Sequence, residues 1–336
     1  MANVAVLGTG GWGTALALVI NDNRHNVYMW SKFPDEIYDI KKDGENKKLL
    51  PGVKIPKTIE LTSDLNCIKK CEVVIFAIPS YAVKETAQSI KDIVNKDTII
   101  LNASKGLEHN NYKRFSQVIS EILPFNAVAV LSGPSHAEEV SKRIPTTIVV
   151  SSEDEKACCY IQDVLMNLQF RVYVNLDIIG VELGGALINI IALAVGVSDG
   201  LELGDNIIAA LVTRGLTEMA RLGVSLGAKS ETFAGLTGLG DLFVTCASVH
   251  SRNRRAGKLI GQGINPQDAI KQVGMVEGYY ICKEAYELSR NLGVDMPITE
   301  QCYHVLYENK DPRLALKALM ERPKSQELEH TWIEKN

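Results

Sequence analysis

The chain has 336 residues, 46% of them hydrophobic and 23% charged, which is ample for a core and long enough for two domains. Lys and Arg number 36 against 40 Asp and Glu, a net charge of -4, so nucleic acid and anionic membrane are poor partner classes. Seven cysteines without a Cys-x-x-Cys pair argue for free thiols in a reducing compartment and against a disulfide framework or a zinc site.

At the N-terminus no basic region precedes Val4-Ala5-Val6-Leu7, as a signal peptide would need. Uncharged runs such as 183–198 fall short of the ~20 apolar residues of a membrane span. A cytoplasmic protein without a span is expected. Short β-branched runs at 3–8, 26–30, 72–77, 98–102, 127–132 and 146–151 predict strands, with helical periodicity between several of them, as at 81–94 and 112–123. Strand and helix in alternation predict a mostly parallel sheet covered on both faces. From about Leu176 the texture changes. The segments 181–197, 206–222, 229–234, 255–260, 265–273, 278–292 and 296–307 all read as helices, and Gly200 and Gly223 stand where C-cap glycines would end the two longest early ones. The polar stretch 323–336 is expected to be loosely held.

Gly8-Thr9-Gly10-Gly11-Trp12-Gly13 is a Gly-x-Gly-x-x-Gly run between the first strand and the helical residues 14–20. Gly8 allows the tight turn, Gly10 lets backbone approach a pyrophosphate, and Gly13 lets the helix lie close to the strand. Free N–H groups and the positive end of the helix dipole then face the phosphates. In that context the run predicts dinucleotide binding rather than a plain turn. The expected architecture is an α/β Rossmann-type dinucleotide-binding domain over 1–178, followed by an all-α substrate-binding domain over 179–336. NAD-specific sites usually carry Asp or Glu at the tip of the second strand. Here Trp30 is followed by Ser31 and Lys32, with no carboxylate until Asp35. Lys32 is suited to a 2′-phosphate, or is simply a solvated loop lysine, so the cofactor is NAD or NADP.

Further motifs follow in order: Ile78-Pro79-Ser80, 104–108 (SKGLE), 131–140 (LSGPSHAEEV), 182–196 (ELGGALINIIALAVG), 200–215, 235–242 (GLTGLGDL), 251–254 (SRNR) and Val276-Glu277-Gly278. With 8–17 (GTGGWGTALA), they run nearly the length of the chain. The sequence resembles the bacterial-type NAD(P)-dependent glycerol-3-phosphate dehydrogenases, which interconvert dihydroxyacetone phosphate and sn-glycerol 3-phosphate. The resemblance implies that Gly11, Trp12 and Lys32 line the cofactor site, with Ala137, Met275 and Glu277 near the nicotinamide and ribose. It implies that Lys105 and Arg252 touch cofactor and substrate, and that Gly133, Ser135, Asp241, Ser251 and Asn253 hold the substrate. It also implies a homodimer and a role in supplying glycerol phosphate for phospholipid synthesis.

The chemistry of these residues agrees with that assignment. Ser251-Arg252-Asn253 offers a guanidinium fork and short donors for a phosphate dianion, although a helix N-cap with a surface arginine is the plainer reading. Ser132–Ser135 follows a strand, where open α/β sheets gather ligands. Asp241 could orient a lysine or a substrate hydroxyl, or equally cap the next helix. The ammonium of Lys105 is placed to reach a carbonyl under reduction, and Lys105 and Asp241 are the candidate catalytic pair.

One position departs from the pattern. The family resembled carries its acid–base lysine between Gly-Gly-Ala-Leu and Asn, where this chain reads Gly184-Gly185-Ala186-Leu187-Ile188-Asn189. A second lysine common in the family is Ile208 here. A positioned acid–base group contributes roughly 10²–10⁴-fold in rate, so impaired turnover is expected. The alternative is a catalytically weak homologue that binds NAD(P) and triose phosphate as a sensor or partner protein. A related β-hydroxyacid dehydrogenase fits less well, because the Ser-Arg-Asn grip suits phosphate. Cys158-Cys159 reads as core filling, His25, His109 and His250 as surface or loop residues, and His136 as packing. No His–Cys or His–Asp spacing suggests a metal.

Overall fold

The computed structural model describes residues 1–109 and 111–327. The chain forms two compact units. One comprises Met1–Ser104 and Lys113–Ile178; the other comprises Lys105–Tyr112 and the chain from Ile179 onward. The short segment 105–112, expected within the first domain, packs with the helices instead: Leu107 is buried in the helical core.

The first unit holds strands β1 (Asn3–Leu7), β2 (Asn26–Trp30), β3 (Ile59–Thr62), β4 (Val73–Phe76), β5 (Ile99–Asn102), β6 (Val128–Ser132), β7 (Thr146–Ser152) and β8 (Phe170–Asn175). They form one sheet in the order β3-β2-β1-β4-β5-β6-β7-β8. Neighbours are parallel except β6 and β7. All four residues of β4 are buried, as a central parallel strand covered on both faces requires. The chain order reverses between β1 and β4, and the crevice outside the carboxyl ends of such strands is where open α/β sheets bind ligands. Helices α1 (Gly11–Asp22), α2 (Pro34–Asp43), α3 (Val83–Ile90), α4 (Phe115–Ile122), α5 (Ala137–Val140) and α6 (Glu155–Leu165) connect the strands. Of the vicinal cysteines on α6, Cys158 fills the core while Cys159 is exposed.

The second unit is helical among the described residues: α7 (Ile178–Gly200), α8 (Asp205–Ser225), α9 (Ser230–Phe233), α10 (Asp241–Ala247), α11 (Arg252–Gly261), α12 (Pro266–Val273), α13 (Glu277–Leu292), α14 (Pro297–Tyr307) and α15 (Pro312–Met320). At 23 residues α7 is longer than its uncharged run and, by length and composition alone, could cross a membrane; 89% of its most apolar 18 residues are buried, which is the condition of a core helix. Glycines let α7 and α11 cross at backbone contact. A Cβ on Gly196 would lie 2.1 Å from the Arg254 carbonyl oxygen, and one on Gly257 would lie 2.1 Å from that of Leu193. Gly223 is not a C-cap. It lies inside α8, where a Cβ would sit 2.2 Å from the Phe233 ring. Of the stretch 323–336 expected to be loosely held, residues 323–327 are exposed and 328–336 lie outside the described residues.

Candidate active site

In the sheet unit the glycine run makes the turn its spacing predicts. Gly8 has φ +117, and a Cβ there would lie 2.3 Å from the Ala77 carbonyl oxygen. Gly13 comes just as close to Gly8, with a Cβ position 2.2 Å from its oxygen. Gly10 caps α1 without a side-chain bond and has open space where its Cβ would be. The first N–H groups of α1 therefore keep the anion-receptive character of an uncapped helix start. Gly11 faces Leu49 and Ala137, the latter 3.6 Å from its Cβ position, while Trp12 packs half-buried on the sheet core. This cradle fits a dinucleotide pyrophosphate, since side chains at its glycines would fill it.

The tip of β2 holds a carboxylate that the linear sequence conceals. Glu36, in the first turn of α2, accepts hydrogen bonds on one oxygen from Thr9 Oγ1 (2.8 Å) and Ser31 Oγ (2.7 Å). It thereby touches both the glycine turn and the strand end. The available signal was an acidic first turn after Pro34, close enough in sequence to fold back on Ser31. Lys32 is paired with Glu85 at 2.6 Å, with both side chains largely exposed. At the carboxyl end of β6, Gly133 takes φ +129 and Ser135 Oγ donates to its carbonyl at 2.9 Å.

In the helical unit Lys105 Nζ lies 2.6 Å from Asp241 Oδ2; the carboxylate is 3% exposed and the lysine 30%. Thr245 Oγ1 donates to the other carboxylate oxygen at 3.2 Å. Asp241 is thus not a cap. Gly240 holds that position and Asp241 is the first residue of α10. The segment carrying Lys105 is anchored further along: His109 bonds the buried carboxylate of Glu284, and Tyr112 donates to Glu287 at 2.8 Å. His109 is therefore more than the loop residue its sequence context suggested. Burial pushes the Glu284 carboxyl above its usual range.

Ser251 is the N-cap of α11, accepting from the Arg254 N–H, so the plainer sequence reading of this residue holds as geometry. Arg252 projects exposed from the first turn, whereas Asn253 is buried. The Asn253 amide donates to Asn189 Oδ1 (2.7 Å) and accepts from the Gly278 N–H (2.8 Å), tying α11 to α7 and to the start of α13. Met275 and Glu277, half-buried, flank that same start. Ile188 adjoins Asn189 and is fully buried. It lies one turn from Gly184, on the same helix face, and a Cβ on Gly184 would lie 2.9 Å from the Thr237 carbonyl oxygen, four residues before Asp241. Ile208 is half-buried against the helical core.

Residues 3–158 match the family model described as the NAD-dependent glycerol-3-phosphate dehydrogenase N-terminus, and residues 177–317 match the corresponding C-terminus. The chain belongs to this family. It is 50% identical over 334 residues to glycerol-3-phosphate dehydrogenase [NAD(P)+] of Desulfitobacterium hafniense, covering 99% of this chain and 95% of that one. The like-named protein of Moorella thermoacetica is 51% identical over 97% of this chain and 98% of its own. The crystal structure of glycerol-3-phosphate dehydrogenase from Coxiella burnetii superposes with a TM-score of 0.92 at 38% identity, covering 96% of this chain and 99% of that one. Family membership makes the chain an oxidoreductase whose cofactor is NAD or NADP.

Proposed function

We propose that the chain interconverts dihydroxyacetone phosphate and sn-glycerol 3-phosphate with NAD(P)H, supplying glycerol phosphate for phospholipid synthesis. The observation that carries this reading is the full-length likeness to relatives of that name; the ion pair at the motif positions Lys105 and Asp241 supports it. When bound, the nicotinamide supplies hydride to the C2 carbonyl. Gly8–Gly13 and the start of α1 hold the pyrophosphate, with Lys32, Ala137, Met275 and Glu277 along the rest of the cofactor. Gly133, Ser135, Ser251, Arg252 and Asn253 hold the substrate. Arg252 presents its guanidinium fork to the phosphate, and Asn253 fixes the loop through Asn189 and Gly278.

Lys105 takes two tasks in this reading. Its ammonium stabilises negative charge as it develops on the C2 oxygen, and its proton goes to that oxygen. Asp241 holds the ammonium in place, and the partial exposure of Lys105 gives it access to water. Ile188, which stands at the position of the family's acid–base lysine, brings no proton. The expected result is a slower enzyme with binding little affected. A cytoplasmic homodimer goes with this reading on the same likeness.

The complete burial of Ile188 favours a second reading: a weak homologue that binds NAD(P) and triose phosphate as a sensor or partner protein. Cofactor oxidation by dihydroxyacetone phosphate separates the two. Measurable turnover supports the enzyme, whereas saturable cofactor binding in calorimetry without turnover supports the sensor. Ile188→Lys is expected to raise turnover at least roughly tenfold, a cautious floor below the acid–base range. An unchanged rate would mean that another residue already delivers the proton.

A further inference from the structure

Between α2 and β3 the chain comes back to the glycine turn. Gly44 ends α2 in the left-handed region, its carbonyl accepts from the Ile55 N–H at 2.9 Å, and Glu45 forms an isolated antiparallel bridge with Lys54. Residues 44–55 thus close into a strap. Asn46 lies in it and is 5% exposed. Its Oδ1 accepts from the Leu49 N–H at 3.1 Å, which shapes the strap itself. Its Nδ2 points out of the strap and donates to the carbonyl oxygen of Thr9, 37 residues away in sequence, at 2.5 Å. The Leu49 carbonyl oxygen in turn lies 3.0 Å from the Cβ position of Gly11, so the strap rests on the turn.

Thr9 is the residue between the first two glycines of the run, and it is buried. Its side chain is fixed on Glu36 and its carbonyl on Asn46. The second bond matters because the peptide joining Thr9 to Gly10 is otherwise free to turn over. Gly10 has no Cβ and open space where one would be, so sterics at Gly10 do not select one plane. The two planes are not equivalent to an anion. In a trans peptide the carbonyl and the following N–H point opposite ways. One plane offers the ligand an N–H, and the other offers a carbonyl oxygen, which repels phosphate. Asn46 selects the first plane by holding the oxygen on the buried side. Turning the peptide over would leave a buried amide donor without that acceptor, which is costly.

We infer that Asn46 is a positioning residue for the cofactor, locking the Thr9–Gly10 peptide in its anion-receptive plane. It touches no part of the dinucleotide and acts through Thr9. The inference rests on the pyrophosphate lying at Gly8–Gly13, as in the proposed function. Without the bond only a fraction of molecules present the receptive plane, and the observed Kd rises by the inverse of that fraction.

The test is calorimetry of NADH binding to the full chain. Asn46→Asp keeps the size of the side chain and the acceptor for the Leu49 N–H, but sets a carboxylate oxygen where the donor was. It is expected to raise the Kd at least about tenfold with one equivalent still bound. Unfolding acts differently, lowering the number of equivalents and leaving the Kd of the folded fraction unchanged. Asn46→Ala, which buries no charge, is expected to raise the Kd in the same direction and serves if the Asp variant does not fold. Lys54→Ala removes only the exposed ion pair with Glu45 and should leave the Kd unchanged. Gly10→Asp, at a position with room for a side chain and a φ of -62, sets a carboxylate against the phosphates and is expected to abolish binding. A Kd unchanged in the Asn46 variants while Gly10→Asp abolishes binding overturns the positioning role and leaves the pyrophosphate at the turn. Binding unaffected by Gly10→Asp takes the pyrophosphate away from the turn and overturns both. A rise in Lys54→Ala as large as that in the Asn46 variants also overturns the inference, by assigning the effect to the strap as a whole.

Discussion

In the proposed function, Lys32 and Glu36 divide the choice of cofactor between them. Exposed ion pairs contribute at most about 1 kcal/mol, so Lys32 can exchange Glu85 for a 2′-phosphate at little cost. Glu36, held by Thr9 and Ser31, has the chemistry that holds unphosphorylated ribose hydroxyls in NAD sites. Lys32→Ala is expected to raise KM for NADPH about tenfold while leaving KM for NADH nearly unchanged, since a hydrogen bond to a charged group is typically worth 1.5–3 kcal/mol. Equal shifts for both cofactors in steady-state assays would contradict this division. Glu36 was hidden from sequence reading because the strand tip itself carries Ser31 and Lys32; the carboxylate arrives from the next helix.

At the scale of elements, the six strands with strong β-branched runs were legible, and the two that escaped, β3 and β8, are the sheet edges. An edge strand has one partner and one covered side, so Ile59–Thr62 needs little hydrophobic signal to form. The role of Gly223 was misread for a related reason: glycine before a loop resembles a C-cap, but here it makes room for Phe233, which only tertiary packing reveals. The glycines of the α7–α11 crossing matter for the same packing. Gly257→Ala places a methyl group against the Leu193 carbonyl and is expected to destabilise the chain by at least about 2 kcal/mol, as overpacking does. Because α11 and its N-cap present Arg252 and Ser251, which hold the substrate in the proposed function, KM for the triose phosphate should rise with it. Urea unfolding checks the first effect and steady-state kinetics the second; stability equal to that of the parent would mean that the helices can separate freely.

For the whole molecule, Glu218 links stability to pH. Its folded-state pKa is raised from 4.5 to about 7 by burial, so its contribution is fully present below the unfolded value and is lost as pH rises through about 7. The displacement corresponds to about 3 kcal/mol. Denaturation curves for the parent and Glu218→Gln should therefore diverge between pH 4.5 and about 7, the parent losing stability that the variant does not, and parallel curves would exclude the linkage. Most of the candidate site was legible because its glycines, Lys105, Asp241 and the Ser-Arg-Asn run are local motifs. What was not legible depends on distant chain segments: the anchoring of 105–112 by Glu284 and Glu287, and the tie between Asn189 and Asn253. The reading of the chain as a working dehydrogenase rests finally on Lys105 acting where Ile188 cannot. The most direct test is the turnover of Lys105→Met against the parent in dihydroxyacetone phosphate reduction. The account predicts a fall of roughly 10²–10⁴-fold with cofactor binding retained; turnover equal to that of the parent would contradict it.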